Sequence, residues 1–319
     1  MNDRKKPEFG AYVTMLTPYD KDHNIDYGAV EALVDWYWKS GLDGIFACCH
    51  STEIHCLSLA DRVKFSKTVV ERAKLLARDD KSRKPLTVVS SGHISYDVSE
   101  QLYELSAMAQ TGADALIMVS NRFDIDNTGE DKWISDAQRL IAKLPDDVPL
   151  GIYECPTPYK RVLTDKMTEF CAKSGRFHFI KDTCCDAAMM KRRTEIMKGT
   201  PMMLMNANAQ TLLETLQNGA DGYCGIMCNF HPKLYAWLCH NFKTEPEKAQ
   251  LIQSFLSTSA FLEQLAYPCI AKYHINKYEN IPMELYSRAR DMRLVTPYQR
   301  SCVDQMKILA DHFESLLGI

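Results

Sequence analysis

The feature that most constrains the fold is a recurring junction. Gly41-Leu42-Asp43-Gly44, Gly112-Ala113-Asp114-Ala115 and Gly219-Ala220-Asp221-Gly222 each join an amphipathic stretch to a short apolar run. A glycine ends a helix readily because it adopts left-handed backbone, and runs this short, bounded by turn signals, suit buried strands. The alternation continues from about residue 11 to about residue 230. Candidate strands are Tyr12–Leu16, Gly44–Cys48, Leu86–Ser90, Ala115–Val119, Leu150–Tyr153, Phe177–Lys181, Met202–Met205 and Gly222–Ile226. Between them apolar residues keep helical spacing, as at Val30, Leu33, Val34, Tyr37 and Trp38, which share one helix face. Strands alternating with helices predict a parallel sheet, and eight such units predict closure into an α/β fold of the (β/α)8 TIM-barrel type. An open doubly wound sheet is the competing arrangement, but no G-x-G-x-x-G follows the first strand.

Beyond Pro232 the strand signals stop. Residues 1–232 are read as the barrel and 233–319 as a C-terminal helical extension, with polar breaks near Thr244–Pro246, Asn280–Pro282 and Thr296–Pro297. The balance of 46% hydrophobic and 25% charged residues is that of a globular protein. A net charge of −3 provides no basic field for nucleic acid. No apolar run approaches the ~20 residues that cross a bilayer. The opening MNDRKKPEFG lacks the apolar core of a signal peptide, so a cytoplasmic location is expected. The 12 cysteines include no C-x-x-C pair, and Cys48-Cys49 and Cys184-Cys185 would point to opposite faces of a strand. Reduced thiols packed as small apolar groups are expected, with no disulfide framework and no metal site.

In a barrel of this kind the chemistry lies at the C-terminal ends of the strands. Lys181 ends the run Phe177-His178-Phe179-Ile180-Lys181, and a period of two puts Phe177, Phe179 and Lys181 on one face. If that face is the barrel interior, desolvation disfavours the ammonium and favours a neutral nucleophile. The plainer alternative is a strand-end lysine, solvated or paired with Asp182. Tyr153 ends the neighbouring strand with the same parity, where a phenol can shuttle protons; a packed core tyrosine is its plainer alternative. His50-Ser51-Thr52-Glu53 follows the second strand. Hydroxyls and free backbone N–H groups in such a turn can hold a carboxylate, although the turn also reads as an ordinary loop.

These segments resemble the dihydrodipicolinate synthase/N-acetylneuraminate lyase family of Schiff-base aldolases, from Gly10 to about Pro232 and more weakly beyond. Val13-Thr14-Met15-Leu16-Thr17-Pro18-Tyr19 is similar to that family's first-strand signature ending in Thr-Pro-Phe, and Asp26 to its "I-D" helix start. Gly41-Leu42-Asp43-Gly44-Ile45 with His50-Ser51-Thr52-Glu53 and Leu57-Ser58 resembles its "G-T-T-G-E … L-S" loop. Tyr153-Glu154-Cys155-Pro156 resembles Tyr-Asn-x-Pro, Ile180-Lys181-Asp182 resembles the lysine strand, and the 28-residue separation of Tyr153 and Lys181 fits. Gly219-Ala220-Asp221-Gly222 through Asn229 resembles the eighth strand and its exit. The resemblance implies that Lys181 forms an imine with a 2-keto acid such as pyruvate, that Tyr153 relays protons, and that Ser51-Thr52 binds the keto acid's carboxylate. It implies no metal or organic cofactor and a homotetramer built as a dimer of dimers.

The departures are local. His50 stands where the family has Thr or Ser, and Thr52 where it has Gly. Asn121-Arg122-Phe123 occupies the place of the paired aromatic motif, so the relay tyrosine that a neighbouring subunit supplies in the synthases is missing. Pro158 falls where the synthases carry an arginine for the second substrate, with Lys160 or Arg161 as candidate replacements or as solvated side chains. These changes set the chain apart from a true dihydrodipicolinate synthase. His50 is a candidate proton shuttle because an imidazole ordinarily titrates near neutrality. Cys224, Asn206, Ala207 and Arg122, near the ends of predicted strands, complete the candidate substrate contacts, and Asn208 is a further polar candidate. Three readings follow: a carbon–carbon lyase using a lysine imine, a hydro-lyase on a 2-keto-3-deoxy sugar acid, and a degenerate barrel without turnover.

Overall fold

The computed structural model describes residues 9–290 and 295–319. Eight parallel strands close into a barrel in the order β1 to β8. They are β1 (Gly10–Thr14), β2 (Gly44–Phe46), β3 (Thr87–Ser91), β4 (Ala115–Val119), β5 (Leu150–Tyr153), β6 (Phe177–Asp182), β7 (Met203–Asn206) and β8 (Gly222–Gly225). The helices of the ring are α1 (Tyr27–Lys39), α2 (Leu59–Asp79), α3 (Val98–Ala109), α4 (Glu130–Ile141), α5 (Asp165–Lys173), α6 (Ala187–Met197), α7 (Leu212–Gln217) and α8 (Pro232–Asn241). The ring is completed by α8, which packs against β1 and β8. Three helices follow: α9 (Pro246–Ser259), α10 (Cys269–Tyr278) and α11 (Pro297–Leu317). Among the described residues no helix is long and apolar enough to cross a membrane.

The recurring junction has a structural cause. Gly41, Gly112 and Gly219 all adopt positive φ, between 81° and 100°, which turns the chain from helix to strand. The aspartate two residues later then ties each new strand to the one before it. Asp43 Oδ2 accepts from the Ala11 N–H, Asp114 Oδ2 from Val88 and Asp221 Oδ2 from Leu204, each at 2.8 Å. In all three cases the aspartate's own N–H donates to the carbonyl of that same residue. One side chain thus fixes register at the bottom of the barrel, where hydrogen bonds of a parallel ladder begin. The first strand starts at Gly10, earlier than the expected Tyr12, because this aspartate pairing reaches down to Ala11.

The interior of the barrel is filled by Tyr12, Phe46, Ile117, Phe179, Met205 and their neighbours. Phe177 corrects the simple parity expected for β6. The pairings Leu150↔Phe177 and Gly151↔Phe179 skip His178, a bulge that turns Phe177 outward to the helices and leaves Phe179 and Lys181 inside. Gly151 makes this possible, since a Cβ there would lie 2.3 Å from Ile117 Cδ1 and 3.0 Å from the Phe179 carbonyl oxygen. All 12 cysteines are free thiols, eight of them buried.

Candidate active site

The C-terminal ends of the strands open into a cavity of about 360 Å³. Lys181, only 5% exposed, reaches it from the end of β6. Its Nζ stands 4.2 Å from the centre of the Tyr153 ring and 5.8 Å from that of Phe46. Among the described residues the amine makes no ion pair and no hydrogen bond. The alternative pairing with Asp182 does not occur, for a reason of parity. Glu154 and Asp182, one residue beyond Tyr153 and Lys181, point to the outside of the barrel, where Arg193 of α6 binds both carboxylates. All three side chains are fully buried. Glu154 also accepts from the Leu163 and Thr183 N–H groups, at 2.8 Å each. The neutralising charges therefore lie behind the strands, and the amine and phenol in front of them share an apolar surface. Burial pushes the Tyr153 phenol well above its ordinary value, so it carries its proton at neutral pH.

After β2 the chain makes two 3-10 turns, His50–Thr52 and Ile54–Cys56, with Glu53 between them in left-handed backbone. The first turn brings His50 and Ser51 to the cavity but not Thr52. The Thr52 hydroxyl is used within the turn, accepting from the Cys49 N–H at 2.7 Å and donating to the Cys49 carbonyl at 2.6 Å. Ser51 donates to the Thr14 hydroxyl at 3.2 Å and meets the Tyr267 hydroxyl. His50 Nε2 lies 3.0 Å from the Thr157 hydroxyl. Burial, helped by His55, Lys181 and Arg290, pushes the imidazolium down to about 4. His50 is therefore neutral at pH 7, and the expected titration near neutrality is corrected by its desolvation.

The other candidates separate by strand parity. Ala207 and Asn208 line the cavity, as does Lys160, whose Nζ donates to the Thr183 carbonyl at 2.8 Å. Cys224 faces the barrel interior beneath the cavity and is fully buried. Asn206 points the other way, donating to the Thr211 and Thr215 hydroxyls at the start of α7. Arg122 lies outside the cavity, its guanidinium 4.5 Å from the centre of the Tyr96 ring, because a 3-10 turn at Ser120–Arg122 carries it away from the barrel axis. Arg161 is turned to Asp124, 3.0 Å away.

The tail supplies a wall of the cavity that the strand-end rule does not reach. Glu263, Gln264, Tyr267, Pro268, Ala289 and Arg290 all line it. Two anchors hold this wall. Asn229 Nδ2 donates to the Tyr267 hydroxyl at 3.3 Å, and Glu53 Oε2 accepts from the Ser287 hydroxyl and the Ala289 N–H at 2.9 Å. Glu53 Oε1 lies 3.7 Å from Nζ of Lys272, a fully buried lysine of α10 that burial pushes down to about 8 against the pull of Glu53. The Tyr267-Pro268 dipeptide is the sequence signal that could have marked a loop here.

Residues 8–260 match the dihydrodipicolinate synthetase family. The chain belongs to that family. It is 24% identical over 266 residues to a 4-hydroxy-tetrahydrodipicolinate synthase of Saccharophagus degradans, covering 81% of this chain and 85% of that one. The fold matches the 4-hydroxy-tetrahydrodipicolinate synthase of Methylacidiphilum fumariolicum with a TM-score of 0.82 at 15% identity, over 97% and 98% of the two chains. It also matches YagE, a prophage protein of Escherichia coli K12 solved in complex with pyruvate, with a TM-score of 0.78 at 20% identity over 96% and 99%. Members of the dihydrodipicolinate synthetase family are lyases and synthases. Identity to the named synthase stays near a quarter, in keeping with the departures at His50, Thr52, Arg122 and Pro158.

Proposed function

We propose that this chain is a carbon–carbon lyase in which Lys181 forms a Schiff base with pyruvate or a related 2-keto acid. The observation that carries the reading is the unpartnered Lys181 amine beside the Tyr153 phenol at the inner end of the cavity. The amine lone pair attacks the keto carbon, and the carbonyl oxygen takes up a proton to give a carbinolamine. Loss of water from it yields the iminium. Tyr153, kept protonated by burial, is placed to give and recover the proton in these steps. The turn at Ser51 reaches the cavity's edge, where its backbone N–H is the group offered to the keto acid's carboxylate, since the Ser51 hydroxyl is held by Thr14 and Tyr267. The iminium then withdraws electrons from the adjacent carbon, so a bond to that carbon can be made or broken. A homotetramer and a cytoplasmic location belong to the same reading, and sedimentation and cell fractionation test them.

Borohydride reduction in the presence of pyruvate should leave the reduced keto acid on Lys181, located by peptide mass mapping. Lys181→Ala should give no adduct and fall to the uncatalysed rate. Absence of an adduct from the wild-type protein with every member of a panel of 2-keto acids would sink the mechanism.

A further inference from the structure

An aldol enzyme needs a second proton carrier for the hydroxyl of the partner carbon, away from the imine. The cavity's titratable groups can be sorted by what already occupies them. Tyr153 stands beside the amine. Glu53 has Oε2 bound to the Ser287 hydroxyl and the Ala289 N–H, and Oε1 facing Lys272. Lys160 donates to the Thr183 carbonyl, and the Cys185 thiol donates to the same oxygen at 3.5 Å. The Tyr267 hydroxyl is shared between Asn229 and Ser51. His50 is bound to Thr157. Glu263 alone among these carboxylates and hydroxyls lines the cavity with no hydrogen bond or ion pair from the described residues.

We propose that Glu263, at the end of the 3-10 turn Ala260–Gln264, is the general acid–base acting on the partner carbon's hydroxyl. The inference rests on the Lys181 imine. In cleavage, the carboxylate takes the proton of the hydroxyl two carbons from the iminium carbon. The O–H electron pair becomes the carbonyl π bond of the leaving aldehyde. The carbon–carbon bond breaks, and its pair moves into the enamine on Lys181. The enamine is then protonated on carbon, and water hydrolyses the iminium to release the keto acid and the free amine. Condensation runs the same steps backward, with the carboxylic acid delivering its proton to the new alkoxide.

The charges are arranged for this role. Burial pushes the Glu263 carboxylic acid up, and the charge of Lys181 pulls it back. Such an environment favours the protonated acid more than water does, as suits a group that must both take and give a proton. The groups whose charges Glu263 meets are Lys181 of β6, Cys185 after it, Tyr223 of β8, Tyr235 of α8 and Tyr267. Lys181 is the cation of that set, and Lys160 and Arg290 are the other cations that line the cavity among the described residues. The substrate class that fits is a 4-hydroxy-2-keto acid.

Two readouts separate the imine from the second step. Exchange of pyruvate methyl protons in D2O needs the imine and enamine but no partner. Cleavage of 4-hydroxy-2-oxoglutarate and of 2-keto-3-deoxygluconate needs both steps. Glu263→Gln should trap and exchange pyruvate at close to the wild-type rate and lose roughly 10²–10⁴-fold in cleavage. Glu263→Asp should recover part of that loss, and the rising limb of the wild-type pH profile should vanish in Glu263→Gln. Cleavage within about threefold of wild type in the glutamine variant overturns the proposal, taking ~10²-fold as the least a positioned acid–base contributes. So does a parallel loss of pyruvate exchange, or a wild-type protein that traps pyruvate but cleaves neither probe. A wild-type protein that traps no keto acid marks failure of the Schiff-base reading instead.

Discussion

The floor and the outer wall of the cavity are built in opposite ways. On the floor, adjacent residues on adjacent strands divide by parity. Tyr153 and Lys181 face in, while Glu154 and Asp182 face out to Arg193. The wall is placed by side-chain contacts between distant parts of the chain, from Asn229 to Tyr267 and, across more than 200 residues, from Glu53 to Ser287 and Ala289. A ladder of backbone hydrogen bonds holds the floor, whereas a few side chains hold the wall. The floor should therefore tolerate little, and the wall should yield locally.

The sharpest way to break the floor is Arg193→Met. It leaves two fully buried carboxylates facing each other without a cation. Removing one partner of a buried ion pair costs about 3–5 kcal/mol. Denaturant unfolding should report a loss of that size, and adding Glu154→Gln and Asp182→Asn should recover most of it. A single variant as stable as wild type would show that the cluster does not lock the strand ends.

Glu53→Gln tests the wall. It removes the carboxylate beside the buried Lys272 ammonium, which keeps its hydrogen bond to the Tyr286 carbonyl, and weakens the anchor at Ser287 and Ala289, with an expected cost of about 1–3 kcal/mol. Hydrogen exchange should rise around residues 287–290, while pyruvate trapping at Lys181 stays near wild type. If trapping is lost together with the wall, the two regions are one cooperative unit and the contrast fails.

The difference also explains what could be read in the sequence. Lys181 and Tyr153 sit at strand ends whose period is set by local alternation, so their shared direction was legible. The bulge at His178 was not, because it depends on Gly151 fitting under Ile117 across two strand pairings. Asn206 is expected near the cavity from its strand end alone, but it lies one residue beyond Met205, which faces in, and so points outward. Hydroxyls and free N–H groups in a turn suit a carboxylate, which is what points to Thr52, yet the turn itself uses both the hydroxyl and the N–H of that residue. Glu263 and Tyr267 lie on a segment whose helical pattern shows only that it packs somewhere. Which side chains it delivers to the cavity depends on tertiary anchors that leave no local periodicity.

His50 lies at the seam between floor and wall and gives the smallest expected effect. Its imidazolium is pushed from the usual 6.5 down to about 4 by burial. A histidine with a depressed folded-state value binds its proton more readily in the unfolded chain, so stability is lost as pH falls from about 6.5 toward 4. At pH 5 this single site should lower stability by about 1–2 kcal/mol relative to pH 7. The fully buried His93 shifts to about the same value and contributes in the same direction, so the variant must be compared with wild type and not with zero. Glutamine has no such proton to take up, and His50→Gln should therefore show a smaller loss of stability between pH 7 and pH 5, by about that amount. Because the imidazole is already neutral above about pH 5, the variant should leave the shape of the pH–activity profile between 6 and 8 unchanged. A limb near 6.5 that disappears in His50→Gln would mean the imidazole titrates as a solvated one, and that the wall closes the cavity less tightly than its anchors imply.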